Sequence, residues 1–299
     1  MNFKKITFIV LSALLLFSCG QSSKNNNQDK TEKSDEIKKI DGDDKTDRDE
    51  RPDRGERPER GEKRKYEVIP TAPGKATPLS AFDEFNPNSV TISFDGDEIT
   101  IDSDGHPNHT TPYWQESDSL YIKPVVAIAQ TPGRIGSHRD RSISLTVSAS
   151  PGLAVKSTST GLGPIGISVT GVPIFNDSEG PGRALEEKIA ETFDYAGGHV
   201  GPSGYHYHSE SMDVPENTLL SHDDKKLVGI MADGFLIYGR REMDDSYPSD
   251  LDESGGHTGA TQHSNGEEFY HYHIINEYYF GNLIVLFGGD FKGSPNNIL

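Results

Sequence analysis

The segments Tyr205-His206-Tyr207-His208 and Tyr270-His271-Tyr272-His273 are two copies of one four-residue word. On a β-strand alternate side chains share a face, so each copy places two imidazoles on one face and two phenols on the other. Two imidazoles on a rigid strand can chelate a transition metal, because histidine nitrogen is a suitable ligand for Zn, Cu, Fe and Ni. The two copies therefore predict strands that carry a metal site.

Two further motifs accompany each copy. Gly171-Val172-Pro173-Ile174-Phe175-Asn176 corresponds to Gly234-Phe235-Leu236-Ile237-Tyr238-Gly239, and Asp194-Tyr195-Ala196-Gly197-Gly198-His199 corresponds to Asp252-Glu253-Ser254-Gly255-Gly256-His257. Three landmarks in the same order indicate an internal duplication. We expect the two halves to pack about a pseudo-two-fold axis, with the histidine-bearing strands near it and their imidazoles around a common centre.

The other segments of the chain are typical of a β-rich domain. Apolar residues alternate with polar ones on both sides of the turn Asp95-Gly96-Asp97, which predicts a hairpin. Further strands are expected at 121–129, 143–148 and 283–287, and one short helix around Leu185, Ile189 and Phe193. We therefore predict a mainly β fold with a duplicated core and one short helix. The domain covers residues 81–299, with repeat halves at about 165–208 and 228–273.

The N-terminus has the layout of a signal peptide. Lys4 and Lys5 precede an apolar run, residues 6–17, that is too short to span a bilayer. Leu16-Phe17-Ser18-Cys19 resembles the bacterial lipobox, which implies cleavage after residue 18 and acylation of Cys19. The alternative is an ordinary signal peptide with an incidental cysteine. Either way we expect an extracytoplasmic domain, anchored by lipid to the outer membrane or cell surface in the first case.

Residues 19–80 are predicted to be a disordered, charged tether. Residues 21–65 are polar and bury too little apolar surface to offset the entropy of ordering. Binding of a cell-wall polymer by this segment is the alternative. The chain has a net charge of −18, while residues 20–75 contain equal numbers of basic and acidic side chains. The domain is therefore acidic, which disfavours nucleic acid as a partner and favours cations.

With these motifs the chain resembles the bacterial YHYH protein family, named for the four-residue word. The resemblance extends to Ile165-Gly166-Ile167, to Ala232-Asp233 and to an upstream motif, Ser103-Asp104-Gly105-His106-Pro107-Asn108-His109. It covers about residues 89–293 and implies that the strands before Gly171 belong to the same domain as the repeats. It implies no biochemical activity, so function has to be argued from the site.

One departure from the family pattern concerns its cysteines. Members often have one just before the Gly-His and another near the C-terminus, a pair that implies a disulfide. Here Glu253-Ser254 and Phe287-Gly288 occupy those places, and Cys19 is the sole cysteine of the chain. The C-terminal strand is therefore expected to be held by packing.

Seven histidines are candidate metal ligands: His199, His206, His208, His257, His271 and His273 in the repeats, and His109 in the upstream motif. A liganding histidine needs an acceptor for its other ring nitrogen. Asp194, Asp233 and Asp252 are the candidates for that role. The Gly-Gly pairs before His199 and His257 let the backbone turn and direct each histidine.

The histidine-rich, thiol-free set suits Cu or Zn better than Ca or Mg, which prefer oxygen. Three functions remain open. The first is a metal-binding or scavenging module. The second is a metal-dependent hydrolase or oxidoreductase that acts on a small envelope or imported molecule through an open coordination position. The third is a structural or adhesion domain in which histidines and aspartates form a hydrogen-bond network without metal. The sequence contains no nucleophile elbow, phosphate loop or His-Glu-x-x-His motif that would identify an enzyme.

Overall fold

A computed structural model describes residues 68–69, 77–127, 129–136, 142–181, 183–210 and 223–299. The expected signal peptide, Cys19 and most of the expected tether lie outside the described residues. Strand β1 (Val68–Ile69) falls inside the 19–80 segment and pairs with a later strand, so paired structure begins before residue 81. No helix in the described ranges has the length and apolarity that a membrane crossing needs.

The described part of the chain is mainly β, as predicted. A 3-10 helix spans Leu79–Glu84 and the helix α1 spans Glu187–Ala190. The first strands after β1 are β2 (Val90–Asp95), β3 (Glu98–Ser103), β4 (Ile143–Ser148), β5 (Leu153–Ala154), β6 (Gly166–Ser168), β7 (Pro173–Ile174), β8 (Ser178–Gly180) and β9 (Arg183–Ala184). The remaining strands are β10 (Gly198–Gly201), β11 (Gly204–Tyr207), β12 (Leu227–Met231), β13 (Leu236–Tyr238), β14 (Gly256–Ala260) and β15 (Glu268–His273).

The duplication forms one eight-stranded sheet with the order β10-β11-β7-β6-β12-β13-β15-β14. The first four strands belong to the first repeat, and the last four are their counterparts in reverse order. In each half the outer pair is antiparallel, the next pair parallel and the inner pair antiparallel. The halves join through the antiparallel pair β6 and β12. The predicted pseudo-two-fold relation is therefore present, with its axis between these two strands.

The histidine-bearing strands do not lie at this axis. β11 is the second strand of the sheet and β15 the seventh, with β7, β6, β12 and β13 between them. The expectation of a common centre is therefore wrong. Each word is paired with the Gly-Gly-His strand of its own repeat, so the duplication produces two separate clusters.

A smaller sheet of β2, β3 and β4 shares its core with the phenol face of the large sheet. The hairpin predicted on both sides of Asp95-Gly96-Asp97 is present as β2 and β3. Alternation buries Ile99 and Ile101 of β3, and these belong to the same hydrophobic cluster as Tyr207 and Tyr272. The Ser103 hydroxyl donates to the carbonyl of Gly171 at 2.7 Å. The strands before Gly171 thus pack in one core with the repeats.

Two predicted strands are shorter than expected. In the 121–129 segment, of which residue 128 is not described, only Tyr121 forms a bridge, with Thr111. Pro124 lacks an N–H, and the backbone N–H of Val125 donates to the side chain of Gln130 instead of to a strand. In the 283–287 segment, Leu283 and Val285 form isolated bridges only.

The predicted helix is limited to one turn. Leu185 precedes it and its N–H donates to the Asp177 carbonyl at 2.7 Å, outside any helix. Leu185 and Phe193 nevertheless pack against each other and Leu283 in a small second cluster. The C-terminal segment is held by backbone hydrogen bonds, including one from Asn296 to the Ala232 carbonyl at 2.8 Å. Gly289 lies directly against Ser254, so packing holds this segment near the position where the family pattern has a cysteine.

The central strand β12 depends on a glycine. A Cβ on Gly229 would lie 2.2 Å from the carbonyl oxygen of Ile167 in β6. We predict that Gly229→Ala lowers the free energy of unfolding by about 1–3 kcal/mol or more, because the two repeats would have to separate locally. Urea unfolding measures this. Gly161→Ala, where the added Cβ meets nothing within 4 Å, is the control and is expected to stay within about 0.5 kcal/mol of wild type. Equal stability of both variants would contradict the close approach.

Candidate metal centres

Each repeat gathers three histidines and one glutamate. Centre 1 consists of Glu179, His199, His206 and His208, and centre 2 consists of Glu242, His257, His271 and His273. In each group one ligand atom per residue lies within 4.8 Å of the others. The glutamates occupy the same position of the repeat, eight residues after Gly171 and Gly234. The two groups are therefore equivalent by position as well as by composition.

Strand pairing builds both clusters in the same way. The antiparallel register of β10 and β11 places His199 directly opposite His206, and β14 and β15 place His257 opposite His271. The second histidine of each word lies two residues further along, on the same face. Glu179 reaches centre 1 from β8, which follows β7. All four ligands of a centre come from one repeat.

The potential ligand atoms of centre 1 lie close together. Nε2 of His206 is 3.0 Å from Nε2 of His199 and 3.0 Å from Nε2 of His208. Oε1 of Glu179 is 3.3 Å from Nε2 of His199 and 3.0 Å from Nε2 of His208. All three imidazoles are buried.

Centre 2 repeats this arrangement with slightly longer spacings. Nε2 of His271 is 3.2 Å from Nε2 of His257 and 3.0 Å from Nε2 of His273. Oε1 of Glu242 is 3.0 Å from Nε2 of His257 and 3.7 Å from Nε2 of His273. A tetrahedral ion with bonds of about 2.0–2.1 Å separates its ligand atoms by about 3.3–3.4 Å, so both clusters have the size of a transition-metal site.

The Nδ1 atoms of centre 1 point away from the cluster toward oxygen acceptors. Nδ1 of His206 lies 3.0 Å from the Gly204 carbonyl, and Nδ1 of His208 lies 2.6 Å from the Asn176 carbonyl. A carbonyl only accepts, so both Nδ1 atoms carry the proton. A neutral imidazole has one N–H, and Nε2 is therefore left with a lone pair directed at the centre.

The third imidazole of centre 1 follows the same rule. Nδ1 of His199 lies 2.6 Å from Oγ1 of Thr192. The Thr192 hydroxyl donates its own proton to the Ile189 carbonyl at 2.6 Å, so Oγ1 accepts from His199. Such outer hydrogen bonds fix the tautomer and orientation of liganding histidines.

In centre 2 the acceptors occupy the corresponding places of the second repeat. Nδ1 of His271 lies 3.1 Å from the Phe269 carbonyl, and Nδ1 of His273 lies 2.6 Å from the Gly239 carbonyl. Nδ1 of His257 lies 2.8 Å from Oδ1 of Asp250. Three Nε2 lone pairs again face one glutamate oxygen.

Burial lowers the pKa of four of the six imidazoles, those of His199, His206, His271 and His273, and so favours their neutral form. It lowers the pKa of His206 well below the ordinary value, with the neighbouring His199 adding to the effect. It lowers the pKa of His271 to about 3 and that of His273 to about 4. Burial raises the pKa of Glu242, the carboxylate of centre 2. Neutral imidazoles and an ionised carboxylate are the forms that bind a metal.

A cation fits this environment. Three nitrogen lone pairs and a carboxylate at these separations repel one another unless a positive charge lies among them. Among the described residues no donor makes a hydrogen bond to the buried Oε1 of Glu179. A buried, unpaired carboxylate oxygen is costly, and a metal ion between the four atoms satisfies it together with the three lone pairs. Both groups can bind a metal ion.

A comparison with protein families supports the resemblance seen in the sequence. The family model described as "YHYH protein" matches residues 144–247. The matched region is similar to this family. This region contains all four residues of centre 1, together with Glu242 of centre 2. A search of curated proteins and a search of solved structures each found no match.

His109 lies apart from both centres. Its Nε2 is 2.9 Å from the hydroxyl of Tyr207, and its Nδ1 is 2.9 Å from the Thr110 carbonyl. Tyr207 alternates with His206 and His208 along β11, so its phenol lies on the opposite face of the sheet. His109 is therefore buried in the core on the phenol side and does not join the other six histidines.

The three aspartates expected to support the histidines bind tyrosines instead. Oδ2 of Asp194 accepts from the Tyr205 hydroxyl at 2.6 Å, and Oδ2 of Asp252 accepts from the Tyr270 hydroxyl at 3.0 Å. Asp233 accepts from the Tyr272 hydroxyl at 2.7 Å. The physical reason is again alternation, because these aspartates lie on the phenol side. Backbone carbonyls, Thr192 and Asp250 take the place next to the histidines.

Sequence reasoning missed the two glutamates and these acceptors. The glutamates had a signal, since Glu179 and Glu242 share a position in the repeat at the same offset of 63 residues as the motifs before them. Thr192 and Asp250 also share a position, but their residue types differ and only one of them is acidic. A backbone carbonyl has no residue type that a sequence could reveal.

The two tyrosine–aspartate pairs make a matched prediction. Asp194 is buried with Tyr205 as the partner of Oδ2, whereas Oδ2 of Asp252 also lies 3.3 Å from Nζ of Lys292. We predict that Tyr205→Phe lowers the free energy of unfolding by about 1–3 kcal/mol, because it leaves a buried carboxylate oxygen unpaired. Tyr270→Phe is expected to cost less than about 1 kcal/mol, because the half-exposed Asp252 keeps its lysine. Urea unfolding compares them, and an equal or larger loss in Tyr270→Phe would refute this account.

Proposed function

We propose that the chain is an envelope-anchored lipoprotein whose YHYH domain binds two transition-metal ions, Cu or Zn, one in each repeat. A single observation carries this proposal. In both repeats three imidazole Nε2 atoms and one glutamate oxygen converge, with neighbouring atoms 3.0 to 3.7 Å apart and all four within 4.8 Å of one another.

The hydrogen-bond directions favour metal over a metal-free network. In such a network one imidazole would have to donate from Nε2 to the next. Nδ1 of His206 and Nδ1 of His208 already direct their protons to carbonyls, so the 3.0 Å contact between their Nε2 atoms has no proton to share. The aspartates that were expected to complete the network bind phenols. A bound cation offsets the repulsion between the Nε2 lone pairs that face each other.

The ligand composition favours binding over catalysis. Four protein ligands complete a tetrahedral sphere, and closed spheres are typical of ions that a protein stores, carries or uses for stability. Nitrogen ligands with one carboxylate and no thiolate suit Zn or Cu(II) better than Ca or Mg. The residues of the chain supply the coordinating lone pairs, hold the rings in place through Nδ1 and exclude water from buried imidazoles.

Metal stoichiometry tests this function. We predict that full-length protein purified without a histidine tag from metal-replete cells contains two ions per chain. His206→Ala removes the ligand nearest to both other imidazoles of centre 1 and should lower the content to one. His271→Ala should do the same in centre 2, and the double variant should contain none. Elemental analysis by mass spectrometry provides the count.

The control for this series is His106→Ala, which changes a histidine outside both centres and should retain two ions. Circular dichroism verifies that each variant is folded. Wild-type metal content in the folded double variant would rule out these residues as the ligands.

In this proposal a lipid on Cys19 attaches the protein to the membrane. The apolar run of residues 6–17 and the lipobox-like Leu16-Phe17-Ser18-Cys19 support lipid attachment, and the acidic domain is suited to attract cations on the outer side of the membrane. We predict that Cys19→Ser moves the protein from the detergent-extractable membrane fraction to the soluble extracytoplasmic fraction and abolishes labelling by a fatty-acid analogue. Ser23→Ala is the control. A wild-type protein that carries no label would instead favour ordinary signal-peptide cleavage.

A further inference from the structure

The first histidine of each centre has a different outer partner in the two repeats. Nδ1 of His199 donates to the neutral hydroxyl of Thr192 at 2.6 Å, whereas Nδ1 of His257 donates to the carboxylate of Asp250 at 2.8 Å. Thr192 and Asp250 occupy the same position, each seven residues before its histidine. The two centres thus share their ligand types and differ in the charge next to one ligand.

This difference changes the charge that surrounds a bound ion. Centre 1 has one carboxylate, Glu179, so a divalent ion there leaves a net positive charge. Centre 2 has Glu242 in contact with its histidines and Asp250 bound to His257, so the same ion is neutralised. A carboxylate that accepts from a liganding histidine also raises the basicity of the nitrogen that faces the metal.

Nearby arginines do not cancel the second carboxylate. Arg240 lies 2.7 Å from Asp224 and 3.4 Å from Glu210, and Arg241 lies 3.6 Å from Asp224. Lys225 pairs with Asp245 at 2.8 Å. These cations are directed to carboxylates other than Asp250 and Glu242.

Aromatic rings cover imidazoles of both centres, so the difference in charge is not offset by water at either one. In centre 1 the ring of Phe175 stacks on His206 with centroids 3.9 Å apart, and the ring of Phe193 stacks on His208 at 5.4 Å. In centre 2 the ring of Tyr238, which corresponds to Phe175, lies edge-on to His271 at 5.3 Å, the ring of Phe269 lies 5.4 Å from the same imidazole, and Leu251 takes the place of Phe193. Such a cover penalises a site that keeps a net charge, which is centre 1 because it lacks the second carboxylate.

We infer that the two centres are inequivalent, and that Asp250 is a positioning residue that makes centre 2 the tighter site and the first to fill. This inference rests on the proposed function, since it requires that both centres bind metal. Asp250 is exposed and is not itself a ligand, yet in this inference it determines which centre binds metal first.

The affinities of the centres can be measured separately. His206→Ala with His208→Ala leaves centre 2 intact, and His271→Ala with His273→Ala leaves centre 1 intact. Competition for Zn²⁺ between each full-length variant and a chromogenic chelator gives the two dissociation constants. We expect centre 2 to bind about 10–100-fold more tightly than centre 1. Equal affinities, or tighter binding by centre 1, would overturn the inference.

Asp250→Asn tests the positioning role, because it keeps an acceptor for His257 but removes the charge. With only centre 2 intact, Asp250→Asn should weaken Zn²⁺ binding about tenfold or more. With only centre 1 intact, it should change the affinity less than twofold. The matched control is Asp245→Asn, which removes an equally exposed charge nearby that pairs with Lys225 and not with a histidine. If both substitutions weakened Zn²⁺ binding equally, the effect would come from the overall negative charge of the surface, and the specific role of Asp250 would be refuted.

A direct titration covers the case in which the double-histidine variants fail to fold. Co²⁺ added to the full-length wild-type protein should produce two successive steps in the visible absorption, and Asp250→Asn should bring the two steps closer together. The melting temperature of the metal-free protein should not change, because the side chain of Asp250 is 68% exposed. A single step in wild type, in which both centres fill together, would overturn the inequivalence of the centres but not the proposed function. Absence of any bound metal in wild type would overturn the proposed function itself.

Discussion

The hydrogen bond from each imidazole Nδ1 to a fixed oxygen is the constraint on which both centres depend. It decides which nitrogen keeps a lone pair and where that lone pair points. Four of the six acceptors are backbone carbonyls, among them those of Asn176 and Gly239, which follow the equivalent strands β7 and β13. Because a backbone carbonyl is placed by strand register alone, the sheet itself orients most of the ligands. The strands that form the large sheet therefore also orient the ligands of both centres.

The alternation of tyrosine and histidine follows from the two sides of this sheet. The phenols join the core shared with the smaller sheet, where aspartates accept their hydroxyl protons. The carboxylate of Asp194 also accepts from the N–H of Ala196 and of Gly198, so it ties the turn before His199 to the phenol of β11. Gly197 permits this turn because its φ is +80°. The core side of the strand thus fixes the position of the imidazoles on its other side.

The sequence was sufficient to predict the β class, the duplication and that the repeat histidines lie close to one another within a repeat, since each depends on side-chain period or on repetition. It did not reveal which strands lie next to the axis. Two arrangements of the repeats, with β11 and β15 inside or outside, satisfy the same periodicity, and pairing of β6 with β12 selects the second. Aspartates were expected as the acceptors for histidine Nδ1 because a sequence identifies side-chain acceptors but does not show which backbone carbonyls lie nearby. The carbonyl acceptors that replace them depend on register and could not be predicted.

Placement of the histidine strands away from the axis has a consequence for how the two centres relate. All four candidate ligands of each centre lie within one repeat, and the contact between repeats contributes buried apolar side chains such as Ile167 and Ile230. The two halves therefore depend on each other for a core and not for ligands. A change at Thr192 or Asp250 alters one centre without disturbing the strands that build the other. Duplication in this arrangement yields two sites that share a scaffold and can differ in their affinity for metal.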